Sequence, residues 1–297
     1  MWTADNPFST IKGRYLVVVW LVPLFYLPGA DSILAAIGED WQWHWRDLFY
    51  GYYSHLLSAA TLLVLAAYGR LHWPSLFGTR VVAADLVPGL KLTLYLFLFS
   101  IAAAYLLFLP LSYVIPRFVD WWYISSAEVI YFDGYGYPLL ANLLALISFV
   151  VLAPVIEEIM FRGILLHRWT QKWGLTKAVL VSSVLFGVAH TDPIGAVAFG
   201  IGMCVLYLRT QSLLVPIICH AANNLVVWFI EIGYRLFEGP DYEYTLEVFR
   251  DEWYIGLICG LSAIVWTLVF FRRPMKLRTW RLPVVGTNGR GPRFSEG

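Results

Sequence analysis

The sequence predicts an all-α fold: a polytopic membrane helix bundle of about eight transmembrane helices with both termini cytoplasmic. Three observations predict it. Hydrophobic residues make up 59% of the 297 residues and charged ones only 14%, against roughly 45–50% and 25% in soluble domains. Apolar runs of about twenty residues, the length that spans a bilayer, recur along the chain. The basic residues between those runs fall on alternate sides, as they do when cytoplasmic loops retain Lys and Arg.

The apolar runs are 15–35, 52–69, 87–115, 138–160, 177–191, 194–210, 213–233 and 253–271. The first carries Pro28-Gly29-Ala30, which resembles a leader cleavage site. Its apolar run starts late after a weakly basic segment, so a retained anchor is expected. Of the 21 Lys and Arg residues, 17 fall on one side of this eight-span arrangement, including seven in the tail from Arg272 to Arg293. Arg46, Arg117, Arg235 and Arg250 fall on the other. The loops on that second side are acidic instead, most of all from Glu238 to Glu252. Trp and Tyr cluster at span ends, as in Trp41-Gln42-Trp43-His44-Trp45 and Trp121-Trp122-Tyr123, the pattern of an interfacial aromatic belt. A basic tail of this kind belongs on the inner membrane surface. The localisation expected is integral, in a bacterial inner membrane.

Composition also excludes function classes. A net charge of +1 is too small for a nucleic-acid binder. Cys204, Cys219 and Cys259 all lie in apolar stretches without a C-x-x-C pair, so they read as buried small hydrophobes. The partners expected are the lipid bilayer and a membrane-associated protein or peptide substrate; nothing in the residues sets an oligomeric state.

Ionisable groups inside spans are costly and therefore functional candidates. Glu157-Glu158-Ile159-Met160-Phe161-Arg162 follows Pro154. Glu158 and Arg162 are four apart, one above the other on a helix, and can neutralise each other. Glu157 points about 100° away and is left for chemistry. Phe186-Gly187-Val188-Ala189-His190 closes the fifth span, where Thr191-Asp192-Pro193 breaks the helix and Asp192 reads as its cap. His220 and Asn224 share one face of the seventh span. Glu157 lies 17 residues before the turn at Gly174 and His190 lies 16 after it. In a helical hairpin that is equal depth, about 20–25 Å from the tip, so Glu157, His190, His220 and Asn224 can share one pocket.

Such a set suits water activation by a carboxylate and histidine, with hydrogen-bond donors for a tetrahedral oxyanion. Competing signatures are missing: there is no H-E-x-x-H zinc pair, no G-x-S-x-G, and no intramembrane partner for Asp133. Ser182-Ser183 has no evident base and reads as helix packing.

The ordered set Glu157-Glu158-x-x-x-Arg162, Phe186-x-x-x-His190 and His220-x-x-x-Asn224 resembles the CPBP family of CAAX prenyl endopeptidases and bacteriocin-processing (Abi) proteins. The resemblance covers about residues 140–235. It implies a glutamate-dependent intramembrane endopeptidase. Glu157 would be the water-activating base with His190 assisting, His220 and Asn224 the oxyanion hole, and Glu158, Arg162 and Phe186 supporting residues. No cofactor is expected; a divalent metal such as zinc, if used, would be held by Glu157, His190 and His220. The competing functions are a non-catalytic membrane binding or immunity protein of the same fold, and a proton-coupled transporter. Three regions follow: residues 1–135 with spans 1–3 and no assigned role, a catalytic core over 136–235, and 236–297 with the acidic loop, the last span and the basic tail.

Overall fold

The structure is a computed structural model that describes residues 7–21, 32–33, 36, 43–78, 80–125, 129–132, 136–239, 242–270 and 281–285. Eight helices carry the architecture: α1 (Arg14–Leu21), α2 (Trp43–Tyr68), α3 (Ala83–Val114), α4 (Leu139–Trp173), α5 (Leu175–Val188), α6 (Pro193–Thr210), α7 (Leu214–Glu238) and α8 (Trp253–Phe270). No strand occurs among the described residues. Five of these helices (α2, α3, α4, α6 and α7) are long and apolar enough to cross a membrane, and α5 and α8 are shorter apolar helices. The fold is an all-α polytopic membrane bundle. Most of the first expected span, from residue 22 to 31, lies outside the described residues.

The segments between helices gather at two ends. At one end, Leu213 N donates to Phe77 O at 2.9 Å and Gln211 Nε2 to Arg281 O at 2.9 Å. The Phe8 ring stacks on His167 at 4.6 Å there. At the other end, Trp122 Nε1 donates to Thr191 O at 3.0 Å. Arg250 Nε donates to Ser112 Oγ at 3.1 Å, and the Tyr105 and Tyr244 hydroxyls meet at 3.1 Å. Among the described residues, the loops on either side of α3, α5, α6 and α7 thus lie at opposite ends of the bundle.

Two helices run further than hydropathy predicts. The expected span 138–160 continues to Trp173, 35 residues in all, about 50 Å of helix. Hydropathy stops at the charges, but Arg162 is 1% exposed and joined to Glu158, so it does not end the buried segment. The stop comes at Gly174, whose φ of +82° a side chain would resist. α2 begins at Trp43, nine residues before the expected edge, because the aromatic segment over 43–50 is itself helical.

α4 is not uniformly α-helical. Turns of π-helix over Ile147–Leu152 and Ile159–Leu165 flank the α-helical Ala153–Glu158. Pro154 accounts for the first. It has no N–H to donate and its ring crowds the preceding turn. Ala153 N accordingly bonds to Ser148 O, five residues back. The carbonyl of Phe149 would find its i+5 donor at Pro154, which has none.

The largest of three buried apolar clusters among the described residues runs through the bundle. It joins Phe8, Leu62 and Leu96 to Phe161, Tyr207 and Leu213, and on to Leu282 beyond α8. The three regions drawn from sequence thus share their packing. Ser182 and Ser183 are buried where α5 meets α6. A Cβ on Gly200 would stand 3.0 Å from Ser183, so two small residues bring these helices together. That close approach sets the Gly200 carbonyl within reach of α4.

Candidate active site

The site is built where α4, α5, α6 and α7 converge. Arg162 Nη1 donates to Glu158 Oε1 at 2.8 Å, and Nη2 donates to Gly200 O at 3.0 Å. His220 Nδ1 lies 2.9 Å from the same Glu158 oxygen. A carboxylate only accepts, so Nδ1 carries the hydrogen. Glu158 is fully buried and Arg162 nearly so. The expected i, i+4 pair is therefore a closed cluster of three side chains and one backbone carbonyl. Buried ions are tolerated when their charge and hydrogen bonds are answered in this way.

Glu157 lies on the neighbouring face. Its side chain is 17% exposed, and Oε2 stands 4.0 Å from His220 Nε2, beyond hydrogen-bond reach. Oε2 is buried with no hydrogen-bond partner, as are Glu158 Oε2 and Arg162 Nε. Buried polar atoms of this kind are few in folded proteins, and each calls for an explanation. Three of the nine such side-chain atoms among the described residues lie in this one cluster.

His190 follows α5. Its Nδ1 sits 2.6 Å from Phe186 O. A carbonyl only accepts, so Nδ1 donates and a neutral imidazole keeps its lone pair on Nε2. The ring stacks on Phe186 at 4.3 Å, and Phe186 meets His220 edge-on at 5.9 Å. The Arg162 guanidinium lies 5.0 Å from the Phe186 ring centre, a cation–π distance. Phe186 is thus the divider between the two histidines. The histidine that approaches Glu157 is His220.

Asn224 lies one turn beyond His220. Its Nδ2 donates to Phe149 O at 2.8 Å, and its Oδ1 accepts from Asn223 at 3.3 Å. The accepted carbonyl is the one that Pro154 leaves without a helical donor. Asn224 therefore holds the bent turn that precedes Glu157, with its second Nδ2 hydrogen still available.

The sequence reading missed His55 on α2. Its Nε2 lies 3.0 Å from Ser148 Oγ, next to the carbonyl held by Asn224, and the Glu157 carboxylate is near enough to act on it electrostatically. His55 falls inside the expected span 52–69, so the rule for intramembrane ionisable groups reaches it. Glu231 on α7 was missed in the same way. It accepts from the N–H groups of Val129 and Ile130 at 3.3 and 3.2 Å and pairs with Arg235, which fixes an interhelical segment. Asp192 caps α6 by accepting from Gly195 N at 3.1 Å and also accepts from Ser100. Burial holds its carboxyl above the usual range, against the pull of those hydrogen bonds and of His190.

Glu157, His190 and His220 do not form a three-ligand metal set. Phe186 stands between the two histidines. Among the described residues no group of three or more His, Cys, Asp or Glu has metal-holding geometry.

Residues 139–226 match the family model described as type II CAAX prenyl endopeptidase Rce1-like. The matched segment is thus similar to this family of endopeptidases over less than a third of the chain. Two curated relatives match part of the chain. A Bacillus subtilis (strain 168) protein named "Putative membrane peptidase YdiL" is 34% identical over 93 residues, 30% of this chain and 38% of that protein. An Escherichia coli protein named "Uncharacterized 24.3 kDa protein" is 33% identical over 86 residues, 26% of this chain and 40% of that protein. The chain thus spans about two fifths of the length of these relatives. No solved structure matches. The matched segment contains Glu157, Glu158, Arg162, Phe186, His190, His220 and Asn224; His55 lies outside it.

Proposed function

We propose that the protein is an intramembrane endopeptidase that hydrolyses a peptide bond of a membrane-associated polypeptide. The observation that carries this reading is Glu157: a buried carboxylate oxygen without a hydrogen-bond partner, facing His220 Nε2, in the matched segment. In the reaction Glu157 accepts a proton from water, and the hydroxide oxygen adds to the scissile carbonyl carbon. The oxyanion takes hydrogen bonds from the second Nδ2 hydrogen of Asn224 and from His220, whose ring is oriented by its Nδ1 bond to Glu158. Donors placed where charge develops are commonly the largest catalytic contribution. The proton on Glu157 then passes to the leaving amine, directly or through His190 Nε2. The C–N bond breaks and leaves a carboxylic acid and an amine.

The family description supports a CAAX-type substrate, cut near the C-terminus of a lipid-anchored protein. We place the end of the bundle that carries the Arg162–Lys177 turn and the Arg272–Arg293 tail in the cytoplasm, by the basic-loop rule.

The test is quantitative terminal proteomics on membranes from cells expressing the wild type or Glu157→Gln at matched level. New termini that vanish in the variant support the proposal and identify the cut site. Identical termini would overturn it in favour of binding or proton-coupled transport, which ligand-retention and flux assays then separate.

A further inference from the structure

A second concavity lies away from these residues. It holds about 410 Å³ and is walled mainly by apolar side chains of α3, α6 and α8, within the size range of pockets that bury organic ligands. None of Glu157, Glu158, Arg162, His190, His220 or Asn224 lines it. Tyr95 and Thr267, whose hydroxyls meet at 3.0 Å, join α3 to α8 along its wall.

Two cations from different helices line the same cavity: Lys91 of α3 and Arg209 of α6. The register of the helices sets their level. A Cβ on Gly202 would meet Leu96, and one on Gly89 would meet Leu206 at 3.7 Å, so α3 and α6 run antiparallel with these residues opposed. Five residues from the Leu96–Gly202 contact, Lys91 stands opposite residue 207, within one turn of Arg209. Among the described residues neither side chain has an ion-pair partner. Asp85 also lines the cavity, in the first turn of α3, where a carboxylate is favoured by the helix dipole. The cations outnumber it two to one.

We propose that this cavity binds one anionic phospholipid, with an acyl chain along α3, α6 and α8 and the phosphate between Lys91 and Arg209. Charge complementarity selects an anion at one end, and the apolar wall selects hydrocarbon for the rest. A polypeptide strand fits poorly, because its N–H and C=O groups would find too few partners on that wall. Inorganic phosphate would leave the apolar volume unused. The level of the two cations matches the end of α6 and the start of α3, where a headgroup of the adjoining leaflet sits.

The experiment is native mass spectrometry of the purified, delipidated full chain, titrated with phosphatidylglycerol, phosphatidylethanolamine or inorganic phosphate. The expected result is one retained phosphatidylglycerol per chain, with affinity lowered about tenfold or more by Lys91→Gln with Arg209→Gln. Ala198→Phe, which fills the apolar part, lowers it independently of charge, and Lys172→Gln leaves it unchanged. Equal retention by the charge variant, equal binding of phosphatidylethanolamine, or full competition by phosphate alone would each overturn the proposal. Should the double variant fail to fold, either single substitution and Ala198→Phe carry the same test.

Discussion

On one face of α4 the Glu158 carboxylate holds Arg162 at 2.8 Å and His220 at 2.9 Å, and Arg162 in turn holds the Gly200 carbonyl. About 100° round the same helix, Glu157 has a buried oxygen with no hydrogen-bond partner and a histidine nitrogen 4.0 Å away. The residues are identical and adjacent; their surroundings differ. On the first face Glu158 Oε1 is committed to the fold through Arg162 and His220, although Glu158 Oε2 and Arg162 Nε stay unpartnered; on the second, Glu157 Oε2 has no such bond. What separates the two carboxylates is the pair of partners that Glu158 Oε1 holds, rather than residue type or burial alone.

Substitutions can break this contrast. The largest effect on activity is expected from Glu157→Gln. Cleavage should fall by about 10²–10⁴-fold, the range for a lost general base, with membrane abundance unchanged. A single-turnover assay on the substrate found by terminal proteomics reads this directly, and retained cleavage would assign the chemistry elsewhere.

The largest effect on stability is expected on the Glu158 face. Arg162→Ala leaves the Glu158 charge buried with only His220 to answer it, and should cost about 3–5 kcal/mol. Steady-state abundance and thermal unfolding both report it. A protein of normal abundance and melting temperature would show that the cluster is not structural.

A smaller effect sharpens the account of the bend before Glu157. Asn224→Ala removes the donor to the Phe149 carbonyl and should cost about 1–3 kcal/mol. In a Pro154→Ala background, residue 154 regains an N–H and part of that cost should disappear. A double-mutant cycle measures the coupling, and strict additivity would disconnect Asn224 from the proline. The smallest stability effect is expected at His55. Loss of its single bond to Ser148 in His55→Ala should cost about 0.5–1.5 kcal/mol. The pH profile of cleavage should shift with it if His55 acts on Glu157. A stability change with an unaltered profile would confine His55 to packing.

The parts of the site that were legible in the sequence share a helix face. Glu158 with Arg162, and His220 with Asn224, are each four residues apart, and the four-residue rule needs no tertiary knowledge. Asp192 before Pro193 likewise announced a cap, and Gly174 a turn. What escaped was of two kinds. His55 and Ser148 are 93 residues apart, and no local pattern encodes a contact at that separation. The Phe149 carbonyl is a backbone group, made reactive to Asn224 only through the missing N–H of Pro154. The C-terminal end of α4 was misjudged for a third reason. Hydropathy counts Arg162 as a polar break, whereas its charge is answered within the protein.

The most direct test of the contrast needs no substrate. Glu157→Gln and Glu158→Gln, purified in the same detergent, would be compared with the wild type for melting temperature. Neutralising Glu158 should lower it, because Arg162 and His220 lose their shared acceptor charge. Neutralising Glu157 should leave it unchanged or raise it, because that buried oxygen has no bond to lose. Equal losses in both variants, or the larger loss at Glu157, would contradict the division of labour between these two carboxylates.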